Sequence, residues 1–177
     1  MELTPEGLAE YTLGIPNMEV NKSLLTHLLK AFGKYPDNRY IDGLRRKIQR
    51  QISDCDEPGF AHSLEMMIAT VPYDIHIPQE YYYDSLILMW MRLTGFNIRA
   101  EEHNNLGSSD LVWEQPGLTV VAEIKYHAEK KIDTLLDEAL NQIHERRYYN
   151  KYSGKVLLLG IAFSGKQPGC RMEKPDI

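Results

Sequence analysis

The sequence predicts an α/β fold in which a mixed sheet is flanked by helices. Strand-length apolar runs alternate with segments of helical periodicity, and Lys155 to Phe163 reads as a fully buried strand. A long helical segment separates this strand from the strands before it, and such a crossover favours parallel pairing with a neighbour. The predicted order of the core is therefore α-β-β-β-α-β.

The first 77 residues are predicted to form a mainly helical extension. Residues 8–15 read as a short extended segment, and Asn17 after Pro16 is typical of a helix start. Two further helices are predicted over roughly 37–52 and 58–70. We therefore expect two parts, a helical extension or linker region over 1–77 and the α/β domain over 78–177.

The α/β domain opens with a helix that starts at Pro78 and stops at Gly95, residues typical of the two helix ends. Its body from Tyr81 to Leu93 is apolar nearly all round, which predicts burial against the sheet. The other predicted elements are a strand over Phe96–Ala100, a helix from about Lys130 to Tyr152 and an irregular tail from Gln167.

A predicted hairpin brings two carboxylates together. Apolar runs flank a Gln-Pro-Gly turn signal at 115–117. If the turn centres on its Pro-Gly pair, residues whose numbers sum to 233 face each other, so Asp110 pairs with Glu123. Because strand side chains alternate, Lys125 shares the face of Glu123 and Ile124 points into the opposite, apolar layer.

Two facing carboxylates on apolar strands need a compensating positive charge. Like charges directly opposite each other destabilise a sheet, and charges in apolar surroundings are costly unless they are paired. The compensating group is Lys125, a divalent cation, or both. A plain structural ion pair in a protein of unrelated function is the simpler alternative.

Composition sets the broad class. The 177 residues are 43% hydrophobic, enough for one sizeable core, and the net charge of -5 argues against a protein coated in nucleic acid. Basic stretches at 39–50 and 146–155 are read as solvated helix faces. No apolar run is long enough to span a bilayer, so we expect a cytoplasmic protein without a membrane partner. Cys55 and Cys170 are read as reduced thiols.

A second motif, Gly160 to Lys166, has the spacing of a phosphate-binding loop. Gln167 stands where a magnesium-binding hydroxyl is required, and Pro168-Gly169 prevents the helix that would cradle phosphate. Nucleotide binding is therefore not expected there. His127 lies two residues beyond Lys125 and reads as a solvated residue at the strand end.

The chain resembles the PD-(D/E)XK nuclease superfamily, and more closely the nuclease-like domain at the C-terminal end of bacterial AAA-ATPase-like proteins. The residues that carry the resemblance occur in the same order as in the family: Glu80, Asp110, Glu123-Ile124-Lys125, Gln142 and Tyr148. Ser109 stands at the position of the proline of the family motif. The similar segments are Tyr11–Val20, Glu80–Leu86, Gly95-Phe96, Gly107–Leu111, Ala139–Ile143 and Tyr148–Tyr152.

This resemblance implies a restriction-endonuclease-like fold and Mg²⁺-dependent hydrolysis of phosphodiester bonds, most readily in DNA, with Mn²⁺ as a substitute. It implies that Asp110, Glu123 and the Ile124 carbonyl hold the ion, with Glu80 as a direct ligand or next to one. Lys125 would orient the attacking water or stabilise charge on the phosphate.

The resemblance further implies that Gln142 and Tyr148 support the site or contact substrate. It also suggests that the chain is a C-terminal fragment of a longer protein with an upstream ATPase-like domain. The alternative function is a catalytically inactive module of the same fold that binds nucleic acid or protein.

Overall fold

The protein is described here by a computed structural model that covers residues 2–3, 9–10, 38–71, 76–100 and 111–175. The chain divides into two compact units, residues 1–38 and 39–177. In the first unit, β1 (Glu2–Leu3) pairs antiparallel with β2 (Ala9–Glu10). The helix predicted from Asn17 lies outside the described residues.

The described elements of the second unit alternate as predicted between helices and strands. In chain order they are α1 (Asn38–Ser53), α2 (Glu57–Ile68), α3 (Glu80–Leu93), β3 (Arg99–Ala100), β4 (Leu111–Gln115), β5 (Leu118–His127), α4 (Ile132–Arg146), a 3₁₀ helix (Tyr148–Lys151), β6 (Val156–Ser164) and β7 (Gln167–Glu173). The division of the chain at residue 77 stays a prediction. From Arg39 onward, α1 belongs to the same compact unit as α2 and the sheet.

The sheet has the strand order β3-β4-β5-β6-β7. Strands β5 and β6 are parallel and are connected through α4, while the other neighbouring pairs are antiparallel. This is the expected mixed sheet flanked by helices, and it is consistent with a restriction-endonuclease-like core. The predicted α/β fold class is confirmed.

The register of the β4–β5 hairpin is the predicted one. Leu111 faces Ala122 and Gln115 faces Leu118, so paired residue numbers sum to 233. The two turn residues are Pro116 and Gly117. The φ of Gly117 is +75°, in the region that glycine adopts freely. Proline followed by a residue of positive φ is typical of a type II turn.

Helices cover both faces of the sheet. Val120, Ala122 and Ile124 of β5 belong to one apolar cluster with buried side chains of α1, α2 and α3. On the other face, Val121 packs in a cluster with Ile143 of α4. The prediction that Ile124 points into an apolar layer, away from the face of Glu123 and Lys125, is confirmed because Ile124 is buried in the first cluster.

Helix α3 is less buried than its composition predicts. One stripe, formed by Tyr83, Ile87 and Met91, is buried against the core. Tyr81 and Met89 are 59% and 54% exposed. The predicted burial of this helix against the sheet is confirmed for that stripe alone, because a helix in an outer layer needs only one apolar stripe against the sheet.

Helix α4 is shorter than predicted. Arg147 adopts a left-handed conformation with φ of +51°, and its N–H donates to the carbonyl of Ile143 at 3.0 Å. A left-handed residue ends an α-helix, and the 3₁₀ helix follows. The predicted continuous helix to Tyr152 was therefore wrong. The first strand of the core is also shorter than expected, because only Arg99–Ala100 of the predicted Phe96–Ala100 is paired.

The tail predicted to be irregular forms β7. Its buried residues Pro168, Cys170 and Met172 alternate with more exposed ones, as in a half-buried strand. Proline is tolerated here because β7 is the last strand of the described sheet order. The outward-facing N–H of Met172 donates to Glu57 Oε1 of α2 at 2.7 Å.

Structure supports the exclusion of a phosphate-binding loop at Gly160–Lys166. Most of this segment is strand β6, and Gly165 and Lys166 form the turn into β7, so a strand follows where a helix N-terminus would be required. Cys55 and Cys170 are both free thiols, as expected. No helix within the described ranges is long and apolar enough to cross a membrane.

Candidate active site

Four of the predicted site residues meet where the C-terminal half of β5 lies between α3 and α4: Glu80, Glu123, Lys125 and Gln142. Gly160 of β6 is the partner of Glu123 in the parallel ladder. A Cβ atom at Gly160 would lie 3.3 Å from the carbonyl oxygen of Leu136 and 3.4 Å from the Cβ of Ala139, both in α4. Glycine therefore permits the close approach that brings the next turn of α4 to Glu123.

Lys125 joins two of the predicted carboxylates. Its Nζ lies 2.8 Å from Glu123 Oε1 and 3.3 Å from Glu80 Oε1. The side chains of Lys125 and Glu123 are only 14% and 2% exposed, so this part of the ion pair is buried. Burial acts to lower the pKa of Lys125, but the charges and hydrogen bonds of Glu123 and then Glu80 raise it above its ordinary value.

Glu80 does more than place a negative charge at the N-terminus of α3. While its Oε1 accepts from Lys125, its Oε2 accepts a hydrogen bond from the backbone N–H of Tyr126 at 3.3 Å. Three residues later, Tyr83 stacks on Tyr126 and Phe163 and donates from its hydroxyl to a backbone carbonyl. These contacts fix the start of α3 against β5 and hold Glu80 at the site.

Gln142 is the contribution of α4. Its Nε2 donates to Glu123 Oε1, the same oxygen that accepts from Lys125. The second oxygen, Glu123 Oε2, is buried and has no hydrogen-bond partner among the residues that the structure describes. A buried anionic oxygen without a donor is costly, so Glu123 is the most informative group of the site.

Asp84 is a further acidic residue at the site that was not predicted from the sequence. It lies one helical turn after Glu80 on α3, and residues four apart share a helix face. Burial raises its pKa from 3.8 to about 7, helped by the charges of Glu80 and Glu123 and opposed by Lys125. The four-residue spacing from Glu80 was visible in the sequence, but Asp84 lies within a run that was read as an apolar helix packed against the sheet.

The remaining predicted residues have mixed outcomes. Asp110 lies outside the described residues, and so does the side chain of Tyr148. His127 is exposed, and its Nδ1 accepts from the backbone N–H groups of Glu129 and Lys130, so it is the expected strand-end residue. Among residues 38–71, 76–100 and 111–175, no three His, Cys, Asp or Glu side chains are grouped closely enough to hold a metal ion.

A mixed sheet between helices, with a Glu-x-Lys strand facing a glutamate from the preceding helix, defines the class of restriction-endonuclease-like domains. The profile of the PD-(D/E)XK nuclease superfamily matches residues 78–172, and the chain belongs to this family. The match begins just before α3 and ends within β7, so it spans all the elements that build the site. Comparison with curated proteins and with solved structures finds no significant match.

Proposed function

We propose that the chain is a metal-dependent nuclease that hydrolyses phosphodiester bonds in DNA at the Glu123 site. The observation that carries this proposal is the state of the Glu123 carboxylate. One oxygen accepts from Lys125 and Gln142, while the other is buried and receives no hydrogen bond from the described part of the chain. A cation at that second oxygen would complete the site.

The available donors suit a hard divalent ion. Carboxylate and carbonyl oxygens are the ligands that Mg²⁺ prefers, and Mg²⁺ usually binds through one or two carboxylates and keeps several waters. We propose that the β4–β5 ladder continues by one pair, so that Asp110 faces Glu123. The two carboxylates and the Ile124 carbonyl would then hold Mg²⁺ or Mn²⁺, with Glu80 beside them.

When bound, such an ion supplies a water of lowered pKa and neutralises charge on the reacting phosphate. Lys125 remains protonated through the neutral range, because the neighbouring carboxylates raise its pKa. It therefore serves as a hydrogen-bond donor that positions the attacking water and stabilises phosphate oxygens, and it does not accept the proton. Gln142 orients Glu123 by donating to Oε1, which leaves Oε2 for the ion.

Cleavage assays test the proposal. The purified chain is incubated with Mg²⁺ or Mn²⁺ and with supercoiled, linear and single-stranded DNA and RNA, beside Asp110→Ala and Lys125→Met. A matched control is Lys130→Met, which removes an exposed lysine paired with Glu138. We expect DNA cleavage that needs the metal, persists in the control and is lost in both site variants. Intact DNA under all metal conditions would contradict the proposal.

A catalytically inactive module is the second candidate. The observation that favours it is that Lys125 pairs with both Glu80 and Glu123 and so supplies part of the compensating charge. Calorimetric titration with Mn²⁺ separates the two candidates: binding that disappears in Asp110→Ala supports a working metal site, whereas no binding favours the module. The upstream ATPase-like partner stays a prediction from the resemblance.

A further inference from the structure

Helix α1 carries a cationic groove along one exposed face. We define it by Gly43, Arg46, Lys47 and Arg50, which recur at the three- and four-residue spacing that places side chains on one side of a helix. The groove encloses about 440 Å³. On the other side of the helix, Ile48 is fully buried in the core.

Three cations of the groove have no ion pair within the described part of the chain. Arg46, Lys47 and Arg50 are exposed, and they make no ion pair with another residue in the described ranges. Arg46 and Arg50 lie four residues apart, a spacing at which like charges destabilise a helix. A concentration of unpaired positive charge in a chain of net charge -5 indicates an anionic ligand.

Two carboxylates line the C-terminal end of the groove. The Asp56 carboxylate caps the start of α2, because it accepts a hydrogen bond from the backbone N–H of Gly59. Asp54 is exposed and opposes an anion at that end. The attractive part of the groove is therefore the stretch from Arg46 to Arg50.

The groove stands on a fixed platform away from the carboxylate site. Gln115, at the hairpin turn, donates to Ser53 Oγ at the end of α1 at 2.9 Å. Arg45, next to the groove on α1, lies over the ring of Phe96 just beyond the C-terminal end of α3, whereas Glu80 begins α3. A helix of 14 residues is about 21 Å long, so the groove and the carboxylate site lie towards opposite ends of α3. A ligand that uses both places must be long and must carry repeated negative charge.

We propose that the cationic groove of α1 binds the phosphate backbone of duplex DNA beside the stretch that is cleaved. Arginine fits phosphate through two parallel hydrogen bonds, and lysine adds a compact charge. An open helix face accommodates a backbone that continues in both directions. This inference rests on the proposed function for its choice of DNA.

Binding without cleavage tests the inference. Affinity for a labelled DNA duplex is measured by fluorescence anisotropy in EDTA over a range of salt concentrations. The groove variant is Arg46→Gln/Lys47→Gln/Arg50→Gln, whose substitutions are exposed and keep good helix formers. The charge-matched control replaces three exposed lysines outside the groove by glutamine: Lys131, Lys155 and Lys174.

Removing three phosphate contacts should reduce the magnitude of the salt slope by about 2.7, since each contact contributes about 0.9. We expect that change, with at least a roughly tenfold loss of affinity at low salt, in the groove variant and not in the control. Asp54→Asn should strengthen binding. Circular dichroism and the urea midpoint show that each variant is folded.

An unchanged slope in the groove variant would overturn the inference, and so would equal losses in groove and control variants. The same titration is made with a labelled RNA duplex of equal length, and a loss seen with RNA but not with DNA would overturn DNA as the ligand. The readout is independent of the metal and of catalysis. A chain that binds DNA through the groove but cleaves nothing would refute the proposed nuclease function and leave the groove as a DNA-binding site.

Discussion

Replacing Lys125 by methionine should lower the free energy of unfolding by about 3–5 kcal/mol. At 2.8 Å from Glu123 Oε1, a unit charge contributes on the order of 6 kcal/mol of attraction at an effective dielectric constant of 20. Desolvation offsets much of this, but removing one partner leaves the other charge buried, and such losses are typically about 3–5 kcal/mol. Glu80, whose side chain is 37% exposed, adds little.

The assay is urea unfolding of four proteins: the wild type, Lys125→Met, Glu123→Gln and the double variant. The free energy of unfolding of the double variant should fall by at least about 2 kcal/mol less than the sum of the two single losses. The reason is that the second substitution removes the charge that the first one leaves buried without its partner. Lys130→Met breaks an exposed pair with Glu138 and should cost at most about 1 kcal/mol.

A Lys125→Met loss below about 1 kcal/mol, together with additive single losses, would refute the reasoning. Glu123 would then not depend on Lys125 in the folded protein. Such a result would also argue against the alternative in which Lys125 and Glu123 form a purely structural ion pair.

Three further outcomes follow from the site and its supports. Gln142→Ala removes a donor to Glu123 and should cost about 1–2 kcal/mol in urea unfolding; an unchanged midpoint would show that the amide contributes nothing. The pKa of Asp84 is about 7 in the folded state against 3.8 ordinarily, so the folded state holds the extra proton and stability should fall as pH rises from about 4 to about 7. Asp84→Asn should flatten that fall in unfolding measured at pH 5 and 8, and parallel profiles would contradict the assignment. Gly160→Ala places a Cβ 3.3 Å from a carbonyl oxygen of α4 and should lower the free energy of unfolding by about 1–3 kcal/mol. As a control, Gly43→Ala meets nothing within 4 Å and should stabilise α1. Equal effects of the two substitutions on urea unfolding would argue against close packing at Gly160.

Local rules were sufficient for the hairpin. The Pro-Gly turn and the apolar runs beside it fixed the register, and that register sets Glu123 and Lys125 on one face. The parallel pairing of β5 and β6 was equally predictable, because one helix separates two apolar strands.

Tertiary contacts decided what the sequence did not reveal. Strand β7 alternates buried and exposed residues, but it contains Pro168-Gly169, and its pairing depends on β6 and on Glu57 from far along the chain. The end of α4 at Arg147 uses a left-handed conformation without the glycine that usually marks it. Asp84 became visible as a site residue only when α3 was docked over Glu123.

The contact between Glu57 and the N–H of Met172 also bears on how the protein behaves at high concentration. Outer strands offer unpaired N–H and C=O groups to other chains and are common starting points for aggregation. At β7, one such donor is occupied by the Glu57 carboxylate, and Pro168 has no N–H to offer. Helix α2 therefore covers part of the hydrogen-bonding edge of β7 and disfavours the addition of further strands from other chains.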